Sequence, residues 1–125
     1  MTKQKGKRRA FEAFLLSAAA SALIWALSPL FTGHPEPWDA DSPYYVAALA
    51  GTGLISGAVT PKPLWAHYAG AVLGQVAYEA AVLEIGPLFV IGALFLLGYS
   101  LIFLFFVVLA SFVRLRWSAR PPPVA

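Results

Sequence analysis

Four long apolar stretches, separated by short breaks rich in proline or in charged residues, constrain the fold of this chain more than any other feature. Hydrophobic residues make up 59% of the 125 residues and charged residues only 12%, and the mean hydropathy is +0.70. A water-soluble domain of this length leaves too much surface exposed to hide so many apolar side chains. We therefore predict an all-α integral membrane protein of four transmembrane helices, at residues 11–31, 44–60, 64–83 and 88–113.

The breaks carry the signals that stop one helix and start the next. Residues 61–63 (PKP) end the second span and begin the third, because proline disfavours helical geometry in the residue before it and is accepted in a first helical turn. Gly86 and Pro87 repeat this arrangement before the fourth span. Pro29 predicts the end of the first span or a kink in it. Residues 32–43 contain three prolines and three acids, and are predicted to form a loop in water.

The basic residues determine the predicted orientation, because the cytoplasmic flanks of membrane spans are enriched in Lys and Arg. All nine lie on one side of a four-span topology: five in the N-terminal segment 1–10, Lys62 in the turn before the third span, and three in the proline-rich tail, residues 114–125. We predict that both termini are cytoplasmic, that the protein is in the plasma (inner) membrane, and that the loop 32–43 lies outside. Interfacial tryptophans are expected near the span ends, at Trp25, Trp38, Trp65 and Trp117.

Two other interpretations of the basic N-terminus fit the sequence less well. The apolar run that follows it, residues 11–31, is longer than the ~7 to 15 residues of a signal-peptide core, and no clear small-residue cleavage site precedes a soluble domain. Nucleic acid would also bind Lys and Arg, but beside a spanning helix the cluster is explained by orientation and by contact with anionic lipid headgroups. We therefore predict a retained first span, with the lipid bilayer and not nucleic acid as its partner.

The third stretch differs from the others because ionisable groups lie inside it. His67, Gln75, Tyr78 and Glu79 are spread along residues 64–83, and at about 100° per residue they fall on one half of the helix. Gln75 and Glu79 are four residues apart and within reach of a mutual hydrogen bond, whereas His67 lies about 18 Å from Glu79 along the axis. One face of this helix is predicted to meet lipid, and the other protein or water.

Two interpretations of this polar face stay open. The first is an ion, proton or polar-substrate path, because ionisable groups inside a span are costly and mark functional sites by default. The second is structural, with the same groups forming hydrogen bonds between packed helices. The residues concerned are Glu79, Gln75, Tyr78 and His67 of the third span, with Thr52 and Ser56 of the second.

Glycines at four-residue spacing predict close helix packing in the second and third spans. A glycine lets two backbones approach, and this contact is a main source of attraction between helices in lipid. A four-helix unit of this kind buries little by itself, so we also predict a homo-oligomer or docking to another membrane protein. The predicted packing residues are Gly51, Gly53, Gly57, Gly70 and Gly74.

The outer loop contains groups that can bind a cation. Asp39 and Asp41 are separated by one residue, a spacing used by hard metals, and His34 and Glu36 precede them. No glycine-anchored loop motif surrounds these groups, so solvated or capping roles are favoured and no metal site is predicted. Together with Glu84 they form an acidic outer mouth, which would favour cations over anions in a pore.

No catalytic motif accompanies these features. The sequence contains no cysteine, no phosphate-binding glycine loop, no HExxH and no nucleophile elbow, so neither an enzyme nor a cofactor is predicted. The size and span count resemble those of two groups of small bacterial four-helix proteins, the small multidrug resistance transporters and the fluoride channels. Those transporters carry a glutamate deep in the first helix, whereas Glu12 lies at the inner end here, so the resemblance implies no site residue.

The leading functional prediction is an oligomeric channel or transporter with a polar path along the third helix. The alternative is a non-transporting accessory or assembly subunit of a larger membrane complex. In the first case the polar face lines a pore, and in the second it binds the helices of a partner.

Overall fold

The computed structural model describes residues 2–39, 42–83 and 86–119. Within these ranges the chain forms four α-helices, one 3-10 turn and no β-strand. The prediction of an all-α chain with four helices is confirmed. The helices are α1 (Thr2–Thr32), α2 (Tyr44–Val59), α3 (Leu64–Val82) and α4 (Phe89–Ser118), and the 3-10 turn is Pro37–Asp39.

The first and last helices extend beyond the predicted spans. α1 begins at Thr2, because the basic segment consists largely of good helix formers and continues the same helix as exposed turns. Pro29 does not end α1, which runs on to Thr32. Gly33 ends it instead: its φ of +77° is readily adopted only by glycine, and its N–H donates to the carbonyl of Pro29 at 3.0 Å. α4 continues beyond residue 113 to Ser118.

The helices form a four-cornered bundle in which α1 packs mainly on α3 and α2 mainly on α4, while α1–α2 and α3–α4 contacts close the ring. We call the end of the bundle where α1 finishes and α2 begins the loop end, and the end where α1 begins and α4 finishes the terminal end. α1 and α3 run from the terminal end to the loop end, and α2 and α4 run in the opposite direction. The two extensive pairs are therefore parallel. Their facing residues include Ser17 with His67 and Trp25 with Gln75 for α1 and α3, and Gly53 with Phe103 for α2 and α4.

Four of the five predicted packing glycines lie at the two parallel crossings. A methyl group at any of these four positions would overlap a backbone carbonyl of the neighbouring helix. Gly51 is different, since open space lies next to it and neither of these two crossings involves it. The four glycines are Gly53 and Gly57, against α4, and Gly70 and Gly74, against α1.

The bundle is apolar outside and partly polar inside. Large hydrophobic side chains are exposed along every helix; Leu94, Phe95 and Phe105 of α4, for example, are each 62% exposed. This is the reverse of the distribution in a water-soluble domain, where contiguous exposed apolar surface is rare. The fully buried polar side chains include Ser17, Ser21, Ser28, His67, Gln75 and Ser100.

Two helices are long and apolar enough to cross a membrane, namely α1 from Lys3 onward and α4. By itself this is a weak indication of membrane association, since a core helix or a signal sequence has the same properties. α2 is apolar but has only 16 residues, about 24 Å. α3 has 19 residues, but its polar side chains lower its mean hydropathy, and it is not among the apolar helices α1, α2 and α4.

Candidate functional site

The bundle buries the polar face predicted for α3. The polar residue of this face nearest the terminal end of the bundle is His67. His67 is completely buried. Its Nε2 lies against the backbone carbonyl of Thr60, which only accepts, so Nε2 carries the proton. Its Nδ1 lies 2.6 Å from Oγ of Ser17 and, in a neutral ring, accepts from that hydroxyl. His67 therefore ties α3 to α1 and to the end of α2 and does not contact solvent.

Gln75, the middle member, bonds to all four helices. Its Oε1 accepts from Nε1 of Trp25 at 2.9 Å and from the hydroxyl of Tyr45. Its Nε2 donates to Oγ of Ser100 at 3.0 Å and to its own helix at the carbonyl of Ala71 at 2.9 Å. Both donors and both acceptor positions of the amide are thus in use. We call Trp25, Tyr45, Gln75 and Ser100 the Gln75 layer.

The Gln75 layer leaves no capacity for the predicted hydrogen bond between Gln75 and Glu79. It also corrects the position of Trp25, which was expected at a membrane interface and is instead completely buried. On the loop side, Trp38 and Tyr99 cover the layer: the ring of Trp38 lies 4.9 Å from that of Trp25, and Tyr99 lies 4.7 Å from Tyr45. These aromatic rings separate the layer from the loop end of the bundle.

Glu79, one helical turn beyond Gln75, has different surroundings. Its side chain is only 6% exposed, and its Oε2 is buried with no hydrogen-bond partner in the described part of the chain. A buried carboxylate without a partner is strongly disfavoured, because it has lost its hydration and gained nothing in exchange. In this respect Glu79 is unlike His67 and Gln75.

Glu79 lines a cavity of about 570 Å³ at the loop end, between α3, the start of α4 and the segment that contains the 3-10 turn. Glu36 also lines it, and Oε2 of Glu36 accepts from Nε1 of Trp38 at 2.6 Å. The structure thus brings together two acids assigned to separate candidate sites in the sequence. We call this space the loop-end cavity; its lining includes Glu36, Trp38, Glu79, Leu88, Ile91, Gly92, Phe95 and Tyr99.

The predicted path residues of α2, Thr52 and Ser56, lie on the terminal side of the Gln75 layer. Tyr45 lies at the level of Gln75, and α2 runs from there towards the terminal end, so Thr52 and Ser56 lie about 10 and 16 Å away from that level along the axis. Thr52 bonds back to the carbonyl of Ala48 at 2.7 Å. The hydroxyl of Ser56 is buried and has no partner among the described residues. Tyr78 is half-buried beside Glu79.

Of the four loop residues that could bind a cation, the structure describes the side chains of His34 and Glu36. His34 is exposed, and its backbone carbonyl accepts from Oγ of Ser28 at 2.7 Å. Asp41, Glu84 and the side chain of Asp39 lie outside the described residues. In the ranges that the structure describes, no group of three or more His, Cys, Asp or Glu side chains is arranged to hold a metal ion.

Sequence reasoning missed the aromatic partners of the polar face. A depth count would have found one of them: Trp25 and Gln75 each lie seven residues before the end of their helices, Thr32 and Val82. Two parallel helices that finish at the same end of a bundle place such residues at the same level. The contacts of Tyr45 and Tyr99 have no comparable signal in the sequence.

The polar atoms of His67 and Gln75 thus have hydrogen-bond partners. Glu79 has a buried oxygen without a partner among the described residues, and it lines a cavity. Together with Glu36 and the rings of Trp38 and Tyr99, Glu79 gives the loop-end cavity acidic groups and aromatic surface in a space large enough for a small molecule. No protein-family model, curated protein or solved structure matches this chain.

Proposed function

We propose that this chain is a four-span protein of the plasma (inner) membrane with cytoplasmic termini. The distribution of side chains supports this, since the exterior is apolar and the interior contains buried polar groups. Charge supports the orientation: the described basic residues of the N-terminal segment, Lys62, and Arg114 with Arg116 all lie at the terminal end. Trp65 and Trp117, 66% and 68% exposed at that end, suit an interfacial belt.

In this orientation the loop-end cavity opens to the outside, and its function is to receive a cation for transport. One observation carries the proposal: the buried carboxylate of Glu79 faces the cavity and lacks a partner among the described residues. Ionisable groups within a span are costly and mark ion and substrate sites by default. The proposed function involves no catalysis, no cofactor and no nucleic acid.

The closed Gln75 layer favours a transporter over an open channel. A solute in the cavity meets the aromatic rings and then a saturated amide, so passage needs a rearrangement of the bundle. Alternating exposure of a site to the two sides of a membrane is the usual property of a transporter. The polar path of the sequence-based prediction is thereby shortened to its outer part, at Glu79 and Tyr78.

Flux into proteoliposomes tests this proposal. Wild-type protein is expected to carry protons or monovalent cations, and Glu79→Gln, which removes the charge at nearly constant shape, to slow the flux by at least about tenfold. Glu12→Gln is the matched control, because Glu12 is exposed at the other end, where it pairs with Arg8. If wild type and Glu79→Gln are equally inert towards protons, common cations and small solutes, transport is excluded.

A second candidate is an accessory subunit that docks against another membrane protein or a copy of itself. It is favoured by a shallow apolar groove of about 560 Å³ on α2 and α4 near the terminal end, lined by Leu54, Ala58, Leu109 and Val113 among others. Small and aliphatic residues of this kind accept a second helix. Mass measurement of the protein in nanodiscs, with Ala58→Trp as the disrupting variant, distinguishes an oligomer from a lone protomer.

A further inference from the structure

We infer that the ligand of the loop-end cavity is an organic ammonium ion with an alkyl or aromatic body. This rests on the proposed cation site and goes beyond it by naming the chemical class. The first support is charge: Glu36 and Glu79 line the same cavity. Glu36 has the indole N–H of Trp38 as a partner, whereas the buried oxygen of Glu79 has none within the described residues. A single positive charge placed between the two acids compensates that burial.

The second support is the aromatic surface beside the acids. Trp38 and Tyr99 both line the cavity, with ring centroids 6.1 Å apart and planes inclined by 37°. The hydrogen bond from Trp38 to Glu36 holds the indole in place. Ammonium groups bind to the faces of such rings by cation–π attraction, and Trp is the strongest partner. Carboxylates beside electron-rich rings therefore recognise a charged group that carries carbon substituents.

The third support is the size and chemistry of the remaining wall. Leu88, Ile91 and Phe95 contribute apolar surface to a cavity of about 570 Å³, which is within the range of small-molecule sites, roughly 300–1,000 Å³. A hard metal ion takes about six to eight oxygen ligands, waters included, whereas most residues that line this cavity are aromatic or aliphatic. An organic cation uses the charge and the apolar wall together.

Gly92 keeps the space between the two recognition elements open. A Cβ at this position would lie 3.5 Å from Oε1 of Glu79 and 3.5 Å from the indole of Trp38. These are ordinary contact distances, so the backbone accepts a side chain, but a larger one would extend between the acid and the ring. Gly98, also in α4, has nothing within 4 Å of such a Cβ and serves as the matched control.

The test is calorimetric titration of the full chain, in phosphatidylglycerol nanodiscs, with benzyltrimethylammonium. Wild type is expected to bind, and Glu79→Gln and Gly92→Leu to bind at least about tenfold more weakly, since one loses the charge and the other the space. Gly98→Leu should bind like wild type. Circular dichroism and gel filtration identify variants that fail to fold, and Glu79→Asp, which keeps the charge, is expected to recover much of the binding.

Three results would overturn the inference: unchanged binding in both Glu79→Gln and Gly92→Leu, equal displacement by sodium at matched ionic strength, or equal affinity for neutral benzyl alcohol. A second set of discs containing phosphatidylethanolamine identifies the source of the ammonium group. If the wild type binds benzyltrimethylammonium more weakly in those discs than in phosphatidylglycerol discs, and Glu79→Gln shows no such difference, the lipid headgroup competes for the site. If the affinity of the wild type is the same in both discs, the ligand is a free amine. Binding does not require flux, so a protein that binds but does not transport refutes the proposed transport and leaves the ligand class intact.

Discussion

Gln75 and Glu79 lie one turn apart on the same face of α3, yet their surroundings are opposite. The amide of Gln75 has four hydrogen bonds, three of them to the other helices. The buried oxygen of Glu79 has none within the described part of the chain, and a cavity lies beside it. Two buried polar groups on one helix face are therefore not equivalent. Saturated hydrogen bonds favour a structural role for Gln75, and the unsatisfied carboxyl oxygen beside a cavity is the basis of the cation site proposed at Glu79.

The largest expected effect is on the Gln75 layer. Gln75→Leu leaves the indole N–H of Trp25, the hydroxyl of Tyr45 and that of Ser100 without their common partner, and each buried unsatisfied group costs about 1–3 kcal/mol. We expect the free energy of unfolding in detergent micelles to fall by about 3 kcal/mol or more. Gln4→Leu, at an exposed position, is the control. A loss below about 1 kcal/mol would mean that the layer does not stabilise the bundle.

Thiol labelling compares the accessibility of the two regions. Because the chain contains no cysteine, Gly92→Cys and Ser100→Cys each introduce a unique thiol on α4, one in the cavity and one in the layer. We expect a charged methanethiosulfonate to modify Gly92→Cys at least about tenfold faster, since thiol reactivity requires access for the reagent. Equal rates would show that the layer opens as readily as the cavity and would remove the distinction between them.

Substitution of Glu79 is expected to change the free energy of unfolding in the opposite direction to substitution of Gln75. Glu79→Leu removes a buried carboxylate and adds apolar surface, so the unfolding free energy should rise by about 1 kcal/mol. Glu12→Leu, which breaks only an exposed pair with Arg8, should change it by less than about 0.5 kcal/mol. Destabilisation by Glu79→Leu comparable to that of Gln75→Leu would reveal a structural role for the carboxylate.

Removal of a single donor within the layer is expected to have a much smaller effect than Gln75→Leu. Tyr45→Phe removes one of the two hydrogen bonds accepted by Oε1 of Gln75, while Trp25 still donates the other. The unfolding free energy should fall by only about 0.5–1.5 kcal/mol. The ratio of this loss to the loss in Gln75→Leu, under the same detergent conditions, shows what fraction of the layer's contribution to stability depends on the hydrogen bond from Tyr45.

Local signals in the sequence were enough to predict four helices and the buried face of α3. Proline and glycine signals predicted breaks before α3 and α4 that the structure contains, and the angular periodicity grouped His67, Gln75 and Glu79 on the face that is buried. Four glycines of the predicted packing set lie at the two close crossings, and Gly51 lies next to open space. Each of these inferences depends on local geometry: helical periodicity, the missing N–H of proline, and the missing side chain of glycine.

The neighbours of each polar group on that face follow from the tertiary structure. Pairing of α1 with α3 brings Trp25 to Gln75, and the chain after α1 brings Glu36 and Trp38 to the cavity of Glu79. These neighbours are distant in sequence, and no local pattern records them, because the choice of helix neighbours depends on how whole surfaces fit. Whether a buried polar group is satisfied is a property of its surroundings, which is why Gln75 and Glu79 are alike in the sequence and different in the fold.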